Sequence, residues 1–354
     1  MTKETSFSKN LTTWYRKNAR NLPWRETTDP YKIWVSEVML QQTTVNAVIP
    51  YYNRWIETFP DVEDVACAPL PKILKMWQGL GYYARAKNIQ RAAQMMVEKY
   101  QSRVPANEPD LKSLPGFGPY TRGAVLSIAF DQRVPIIDAN VRRVIMRMLA
   151  LEGKADTKAD PAILEYLDTV MPKKNLRTFN QALMELGAMV CRNREPLCSL
   201  CPVRPWCRAF QKGVQELIPS PVKKVLKNLD VVVGILQREG KYFIQKRPAN
   251  GLLADLWEFP GGKIEAGETA EEALSREFKE ELNIEVKSSR PLMRLKHFYT
   301  QFRVDLYVRQ CLPYQYPKTD ETHKWVSLSQ FKTFPMPSGS AKIVEKLKEI
   351  GTLI

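Results

Sequence analysis

The sequence predicts two domains of different fold class: a mostly α-helical domain over residues 1–216 and an α/β domain over residues 230–354. In the first, apolar residues recur at helical spacing and no alternation typical of strands persists. In the second, short runs alternate between apolar and polar residues, as in strands with one buried face. The segment between them, LIPSPVKKVLKN, is rich in proline and lysine, so residues 217–229 are interpreted as a linker.

Periodicity places the helices of the first domain. YKIWVSEVMLQQTTVNAVIPYYNRWI and DANVRRVIMRMLA carry apolar residues at a period of about 3.6, which predicts amphipathic helices. PDLKSL predicts a short helix, and LPGFGPYT predicts a tight turn directly after it. We expect the next helix to begin near Pro119 or Tyr120, because proline is tolerated in the first helical turn.

Alternation and capping place the elements of the second domain. LDVVVGILQREGKYFIQKR predicts two strands joined by a turn at Arg-Glu-Gly-Lys, and FRVDLYVRQ predicts a further strand. TAEEALSREFKEEL predicts a helix, and Thr269 and Glu272 have the spacing of a capping box at its start. Strands and helices in one segment of this size indicate an α/β or α+β domain.

Composition narrows the function classes. The chain has 354 residues and a formal net charge of +15, most of it in the helical part. Such an excess favours a polyanionic partner, since Lys and Arg displace counterions from phosphates, although a merely soluble basic protein explains it equally well. No run approaches the roughly 20 apolar residues of a membrane span, and no signal peptide opens the chain. We therefore expect a soluble, cytoplasmic protein with no membrane partner.

The cysteines indicate a metal site. Four of the six lie within residues 191–207 with the spacing C-x6-C-x2-C-x5-C, at Cys191, Cys198, Cys201 and Cys207. In a reducing cytosol such crowding argues for metal rather than disulfides. Four soft thiolates suit zinc or an iron–sulfur cluster, and the spacing leaves both open.

The Gly-x-Gly turn has two interpretations. Gly116 and Gly118 permit positive φ and a close backbone approach, and the free N–H groups of the following helix favour a phosphate. Helix, hairpin and helix together can hold one phosphate of a DNA backbone. A helix–helix turn that binds nothing is the simpler explanation when the motif is taken alone.

Two carboxylates are candidates for catalysis. Glu37 shares an apolar helical face with Ile33 and Leu40, where lost hydration raises the pKa of a carboxyl group and suits it to act as a general acid. Asp138 precedes ANVRRVIMRML and is a favoured helix N-cap, but a carboxylate there can also face a cleft. One acid and one ionised carboxylate together can break a glycosidic bond through an oxocarbenium-like state.

These pieces, in order, resemble the adenine DNA glycosylase (MutY) family of helix-hairpin-helix glycosylases. The matching residues are LPWR, SEVMLQQT, GLGYYARA, LPGFGPYT, IIDANVRR, FNQALMELGAMVC and the four cysteines, and they extend over nearly the whole chain. The resemblance implies a helix-hairpin-helix DNA glycosylase domain with a [4Fe–4S] cluster on the four cysteines, followed by a Nudix-like domain. It implies a monomeric bacterial repair enzyme that flips adenine out of 8-oxoguanine:adenine or guanine:adenine pairs in duplex DNA.

The resemblance also assigns roles to residues. Glu37 would protonate adenine at N7, and Asp138 would stabilise the sugar cation or bond to it transiently, assisted by Tyr120 and Asn140. Gln42 and Tyr82 match the residues that wedge into the duplex, alongside the hairpin glycines. Five further positions match the adenine pocket: Arg20, Trp24, Arg25, Leu40 and Gln181. For Trp24 and Leu40, plain packing in the core is a serious alternative explanation.

Endonuclease III is the nearest alternative, since it shares the helical domain, the hairpin and the cluster. Its glycosylase/lyase chemistry needs an amine to form a Schiff base, and it has lysine where this chain has Tyr120. Position 142, another lysine in some relatives, is Arg142, whose guanidinium is never a free amine. The sequence therefore predicts a monofunctional glycosylase. A DNA-binding protein without chemistry would have no need of both Glu37 and Asp138.

The second domain resembles a Nudix domain with a nearly intact signature. Gly262, Glu268 and Arg276 keep their places, and Asn283 replaces the last glycine as the residue next most tolerant of left-handed backbone. The remaining acidic residues of the signature, which can bind Mg²⁺ for hydrolysis of oxidised nucleoside triphosphates, are Glu277, Glu280 and Glu281. An inherited acidic helix without metal is the favoured explanation. The family's 8-oxoguanine loop, commonly Phe-Ser-His, matches Tyr299, Thr300 and Gln301 here.

Overall fold

The computed structural model describes residues 3–221, 226–299 and 302–351, and the side chains of residues 3–5, 299 and 351 lie outside the description. Its α-helices are α1 Lys3–Asn18, α2 Pro30–Leu40, α3 Val45–Thr58, α4 Val62–Cys67, α5 Leu70–Trp77, α6 Ala84–Tyr100, α7 Glu108–Ser113, α8 Pro119–Ala124, α9 Ala139–Leu149, α10 Asp160–Val170, α11 Leu176–Met189, α12 Arg208–Gln211, α13 Ala270–Leu282 and α14 Ser338–Gly351. Its strands are β1 Lys227–Arg238, β2 Lys241–Lys246, β3 Trp257–Glu258, β4 Gly261–Lys263, β5 Val286–Tyr299, β6 Phe302–Pro313 and β7 His323–Ser327. Within these described ranges no helix is both long and apolar enough to cross a bilayer.

The chain packs into two compact units. The first contains Met1–Cys67 and Asn88–Lys223, and the second contains Ala68–Lys87 and Lys224–Ile354. The chain therefore leaves the first unit after α4, contributes α5 and the start of α6 to the second unit, and then returns. Nothing in the hydrophobic periodicity marks this excursion. Part of the predicted linker, residues 222–225, lies outside the described residues, and β1 begins at Lys227.

The first unit is helical, as predicted. One of its cores lies between α1, α9, α10 and α11, where Leu11, Ile145 and Leu183 are fully buried. A smaller core joins α2 to α8 through Ile33 and Ala124. The long apolar stretch from Tyr31 that was predicted as helical forms two helices, α2 and α3, which Gln41–Thr44 separate.

Capping determines where the helices next to the site begin. Asp29 accepts a hydrogen bond from the backbone N–H of Tyr31 (2.9 Å) ahead of α2, and Pro30 takes the first helical position. Asp138 caps α9 by accepting from the N–H of Val141 at 2.6 Å. These caps fix the directions in which α2 and α9 enter the core.

The second unit is an α/β structure with one mixed sheet. The strand order is β3-β2-β1-β6-β5, β4 pairs with β1, and β7 pairs with β2. β1 and β6 run parallel, whereas β5 and β6 are antiparallel. The predicted hairpin between β1 and β2 is present, with its turn at Glu239 and Gly240, both at positive φ.

Alternation along β1 directs each face of the sheet to a different helix. Val232 and Leu236 pack with Leu274 and Phe278 of α13 on one face. Val233 and Ile235 pack with residues of α14 on the other face, including Ile343 and Leu347. Because successive strand residues point to opposite faces, one apolar strand supplies both cores.

The helix of the Nudix-like signature has both predicted ends. Its capping box joins Thr269 and Glu272 in both directions. At its C-terminus Asn283 adopts the left-handed conformation, with φ 52° and ψ 38°. Asparagine in place of glycine is therefore compatible with the backbone that this position requires.

Substitutions at Asn283 test that backbone requirement. A β-branched side chain is strained at positive φ, so we expect Asn283→Val to lower the free energy of unfolding by about 1–2 kcal/mol. Asn283→Gly relieves the strain and should stay within about 0.5 kcal/mol of the natural chain. Thermal unfolding of both variants checks this, and a valine variant as stable as the glycine variant would contradict the assignment.

Candidate active site

One cavity in the first unit, of about 790 Å³, brings together almost all the residues predicted to act on DNA. Its walls come from the end of α2, the hairpin before α8, the start of α9 and one face of α11. The predicted residues that line it are Arg20, Trp24, Arg25, Glu37, Leu40, Gln42, Gly116, Gly118, Tyr120, Asp138, Asn140 and Gln181. Tyr82 belongs to the second unit and is not among them.

Glu37 is a buried carboxyl group at the wall of this cavity, only 4% exposed. Burial raises its pKa to about 7, and the nearby charge of Asp138 adds to that effect. A hydrogen bond from the Tyr120 hydroxyl to Glu37 Oε2 and the positive charge of Arg25 act in the opposite direction. A large fraction of Glu37 is therefore protonated at neutral pH, as a general acid must be.

Tyr120 reaches Glu37 because the hairpin begins α8 directly opposite α2. Burial raises the pKa of its phenol well above the ordinary value, and the carboxylates Glu37 and Asp138 raise it further. The phenol therefore keeps its proton and serves as a donor. A second bond between the two elements, from Gln41 Nε2 to Thr121 Oγ1 (3.1 Å), holds α8 against the end of α2.

Asp138 is both an N-cap and a cavity residue. Its Oδ1 accepts from the N–H of Val141, and its Oδ2 accepts from Asn140 Nδ2 at 3.0 Å. Burial raises its pKa, while these two bonds and the charge of Arg143 lower it. Asp138 is thus the helix N-cap that the sequence predicted. The same carboxylate also lies close enough to Glu37 for its charge to affect the pKa of Glu37.

Asn140 is held by a chain of contacts from α11. Arg143 Nη2 donates to Asn140 Oδ1 (2.9 Å) and to the Gly187 carbonyl (2.7 Å), and its Nε donates to the Cys191 carbonyl (2.8 Å). A Cβ on Gly187 would come within 2.6 Å of Asn140 Cβ, so only glycine fits there. The orientation of the Asn140 amide, and hence its bond to Asp138, is fixed by α11.

Glu185 is a residue of the cavity wall that sequence reasoning missed. It accepts from Arg20 Nη2 and from Arg25 Nη2, both at 2.7 Å, and is almost completely buried. Burial alone would raise its pKa, but the two guanidinium groups lower it to about 2. Glu185 lies four residues after Gln181 on α11, so the two side chains share one face of the helix. This spacing was the signal in the sequence that could have placed Glu185 at the cavity.

Two of the predicted pocket residues also have packing roles. Trp24 is buried and meets Tyr52 edge-to-face, with ring centroids 5.4 Å apart. Gln181 is buried and accepts from the Tyr15 hydroxyl at 3.0 Å. Trp24 and Gln181 therefore both pack in the core and line the cavity.

The hairpin glycines differ from each other. Gly116 has φ +80°, and a Cβ there would meet Asn88 Cβ at 3.0 Å. Gly118 has φ −66° and is the extended N-cap of α8, so it does not use the positive φ that glycine permits. Around Gly118 no described residue beyond its chain neighbours comes within 4 Å of an added Cβ, so this side of the hairpin is open to a large ligand.

Both predicted wedge residues have left-handed backbone. Gln42, which follows α2, has φ 58°, and Tyr82 has φ 49°. Such values are uncommon for residues other than glycine, asparagine and aspartate, and they cluster at functional sites. The left-handed backbone at Gln42 and Tyr82 is consistent with a functional role at both positions.

The four cysteines of the predicted metal site line one narrow cavity of the first unit, together with Arg147 and Arg204. Arg147 is 1% exposed, and its Nη1 donates to Cys191 Sγ at 3.3 Å. No imidazole or carboxylate lines this cavity. Among the described residues, no three His, Cys, Asp or Glu side chains are placed to share a single metal ion. Thiols alone, spread around one cavity, fit a larger thiophilic group.

The acidic residues of the Nudix-like signature are committed to other partners. Arg276 bonds to Glu268 (2.7 Å), Glu277 (3.0 Å) and Glu280 (3.4 Å). Glu281 Oε2 accepts from Gln245 at 2.6 Å. In the part of the chain that the structure describes, these carboxylates do not converge on one ion, so the possible Mg²⁺ site receives no support.

Of the predicted 8-oxoguanine loop, the structure describes the backbone of Tyr299. Tyr299 ends β5, where it pairs with Phe302 of β6, and its side chain lies outside the described residues. Thr300 and Gln301 lie outside them entirely. The recognition role therefore stays a prediction.

The fold and cavity define a class of protein. Residues 35–168 match the model of the HhH-GPD superfamily base excision DNA repair proteins, and residues 231–346 match the NUDIX domain. A solved thermostable thymine-DNA glycosylase is 30% identical, with TM-score 0.54 over 59% of this chain and 97% of that chain. A non-covalent complex of endonuclease III with DNA, at 24% identity and TM-score 0.50, covers 61% of this chain and all of that one and shares the fold.

Curated relatives identify the family within this class. The adenine DNA glycosylase of Buchnera aphidicola subsp. Schizaphis graminum is 32% identical over 97% of this chain and 99% of its own length. The human adenine DNA glycosylase is 35% identical over 75% of this chain and 59% of its own length. The chain belongs to the adenine DNA glycosylase family, and it is a base excision repair enzyme acting on N-glycosyl bonds.

Glu37→Gln tests the raised pKa through stability. The folded protein keeps a proton that the unfolded chain releases between about pH 4.5 and pH 7, so the natural chain loses stability as pH rises through this window. The neutral amide has no such loss. We expect the variant to be the more stable by up to about 3 kcal/mol above pH 7, with the gap closing below pH 4.5. Urea unfolding across this range measures the gap, and a pH-independent gap would refute the assignment.

Proposed function

We propose that this chain removes adenine paired with 8-oxoguanine, or with guanine, from duplex DNA. The observation that carries the proposal is the buried pair formed by Glu37, with a pKa of about 7, and Asp138 at one cavity. The names of the curated relatives supply the base, since they are adenine DNA glycosylases. The net charge of +15 supports duplex DNA as the partner. We assign the reaction to a monomeric enzyme in the cytoplasm.

The chemistry follows from the two protonation states. A flipped adenine enters the cavity, and Glu37 gives its proton to N7, which makes the base a better leaving group. The C1′–N9 bond breaks, and the cation left on the sugar is stabilised by ionised Asp138 or bonded to it transiently. Water then adds to C1′, and the proton that it loses restores the Glu37 carboxyl group. Tyr120 holds the Glu37 carboxyl group in place, and Asn140 holds Asp138.

The remaining walls of the cavity suit a neutral purine. Arg20 and Arg25 are both paired with Glu185, so one of their two positive charges is offset and both guanidinium groups have a partner before a base enters. Trp24 supplies a rigid apolar surface, and Gln181 supplies a fixed amide. We assign these residues, with Leu40, to the adenine pocket.

A monofunctional reaction is supported by the absence of a suitable amine. A lyase step needs a lysine or an N-terminal amine at C1′ to form a Schiff base. Among the residues described as lining the cavity none is lysine, and Tyr120 is held by Glu37. Arg142 is occupied by Asp160 at 2.7 Å. An endonuclease III-like lyase is therefore the less favoured alternative.

We assign a [4Fe–4S] cluster to Cys191, Cys198, Cys201 and Cys207. Among the described residues that line their cavity, the four cysteines are the only thiol, imidazole or carboxylate groups, which supports a cluster because iron–sulfur clusters are held by thiolates. When bound, such a cluster fixes the loop that follows α11. We assign recognition of 8-oxoguanine to Tyr299, Thr300 and Gln301, and duplex contacts to Gln42, Tyr82, Gly116 and Gly118. No observation favours Nudix hydrolysis as a second function.

An excision assay tests the proposed reaction. Duplexes with adenine opposite each of the four DNA bases and 8-oxoguanine are incubated with the enzyme and then treated with hot alkali. We expect strand cleavage at adenine opposite 8-oxoguanine and guanine, and only after alkali. Glu37→Gln should slow excision by about 10²–10⁴-fold while duplex binding persists, as for loss of a general acid. Cleavage without alkali would contradict a monofunctional enzyme, and normal excision by Glu37→Gln would remove Glu37 from the acid role.

Substitution of a cysteine tests the cluster. Cys198→Ser replaces a thiolate ligand with a poor one, so we expect the purified variant to lose most of its bound iron and sulfide and its visible absorbance. Cys67→Ser is the matched control, because Cys67 is exposed and lies outside the cysteine-lined cavity. Iron and sulfide analysis of both variants gives the answer. Full iron content in Cys198→Ser, or equal loss in both, would count against the assignment.

A further inference from the structure

The turn that carries Tyr82 is built into the second unit. It lies between α5 and α6, in the segment Ala68–Lys87 that packs with residues 224–354. Gly79 and Gly81 have φ of 108° and 72°. Tyr82, which follows Gly81, also has positive φ. Three left-handed residues in four give the turn a shape that few other sequences would adopt without external support.

The inside of the turn is filled by one guanidinium group. Arg85 Nη2 donates to the carbonyls of Leu80 and Gly81, both at 3.1 Å, and Trp77 Nε1 donates to the Gly81 carbonyl at 2.9 Å. The same guanidinium lies over the rings of Trp77 (5.1 Å) and Tyr82 (5.5 Å). The ring of Tyr82 is therefore positioned by the turn that precedes it.

Before the turn, α5 is anchored to the segment 331–336. The ammonium group of Lys75 donates to the carbonyls of Phe331 (3.3 Å) and Phe334 (2.9 Å). Gln78 Oε1 accepts from Lys75 at 3.0 Å and from the N–H of Met336 at 3.1 Å. A cation that satisfies two carbonyl groups makes this a charge-assisted anchor.

After the turn, two further bonds complete the anchor. The buried hydroxyl of Tyr83 donates to the Met336 carbonyl at 3.0 Å. Lys87 Nζ pairs with Asp255 at 2.6 Å. Tyr82 is thus held on both sides by bonds to the part of the second unit that follows residue 224.

The segment 331–336 is itself rigid. Phe331 and Met336 are each 2% exposed. Phe334 packs edge-to-face on Trp257, with centroids 5.1 Å apart, and the N–H of Trp257 donates to the Pro335 carbonyl at 2.8 Å. The anchor therefore connects the turn to the sheet core through β3.

We propose that Lys75 and Tyr83 are positioning residues, which couple the sheet core of the Nudix-like domain to insertion of Tyr82 into the duplex. The inference rests on the proposed function, in which Tyr82 is a wedge. It gives the domain a mechanical role in addition to any contact that its loop makes with 8-oxoguanine. A shift of segment 331–336 would change the angle at which Tyr82 meets the base stack.

The test uses the full-length enzyme and a duplex with 2-aminopurine next to 8-oxoguanine opposite adenine. Insertion of Tyr82 unstacks the probe and raises its fluorescence. We expect Lys75→Met to reduce this rise and to slow single-turnover excision about tenfold, as for loss of a charge-assisted bond. Lys75→Arg should restore most of both signals. Tyr83→Phe removes only one hydroxyl and should give a smaller loss of the same kind.

Controls separate positioning from a general loss of structure. Lys72→Met removes a lysine from the exposed face of the same helix, and Tyr100→Phe removes a hydroxyl that bonds Asp110 in the first unit. Both should keep the fluorescence rise. In a Tyr82→Ala background, Lys75→Met should have no further effect, because a residue that acts through Tyr82 has nothing left to position.

The outcomes are distinct. An undiminished effect of Lys75→Met in the Tyr82→Ala background, or an equal effect of Lys72→Met, would overturn the proposal. So would an unchanged fluorescence rise in both Lys75→Met and Tyr83→Phe. If the natural enzyme unstacks the probe but releases no adenine, the proposed function fails, and the fluorescence rise of Lys75→Met compared with Lys75→Arg and Lys72→Met still decides whether Lys75 positions Tyr82.

Discussion

The burial of one carboxyl group is the constraint on which the first unit depends. An ionised Glu37 is poorly solvated inside the protein, so its neutral form is favoured and the group becomes an acid at neutral pH. That state exists only while α2 stays packed and the Glu37 carboxyl group stays buried. The tight turn at Gly116 and the cap at Asp138 place the two groups that complete the site. Elements that look like ordinary helix ends are therefore what make the chemistry possible.

Positions next to the cavity are determined by charge pairs that would be costly to break. Glu185 pairs with both Arg20 and Arg25 and offsets one of their two positive charges, and its removal would leave two guanidinium groups at this wall without that partner. Arg143 joins Asn140 to the backbone of Cys191, so the cysteine loop and the carboxylate cap share one support. The site is rigid because each polar group in it is bonded to a second element.

Local pattern predicted the helices, the β1–β2 hairpin, the capping box and the left-handed Asn283, because these depend on neighbours in sequence. Together with the resemblance, it named half of the residues that line the cavity. It missed Glu185, whose partners are about 160 residues away in the chain. It could not separate Gly116 from Gly118, since the need for glycine at one of them comes from the distant Asn88. The excursion of residues 68–87 was invisible for the same reason: it depends on hydrogen bonds to residues 331–336.

That excursion changes how the chain can be divided. A cut in the linker divides the sequence between the glycosylase domain and the Nudix-like domain. It would also remove the hydrogen-bond partners of Lys75, Gln78 and Tyr83, which lie in the segment 331–336. Buried donors would then be exposed, and the left-handed turn would lose its support. The linker is a boundary in sequence but not in packing. A fragment that ends there lacks these hydrogen-bond partners, so differences between fragment and whole chain report the loss of the anchor as well as the loss of the domain.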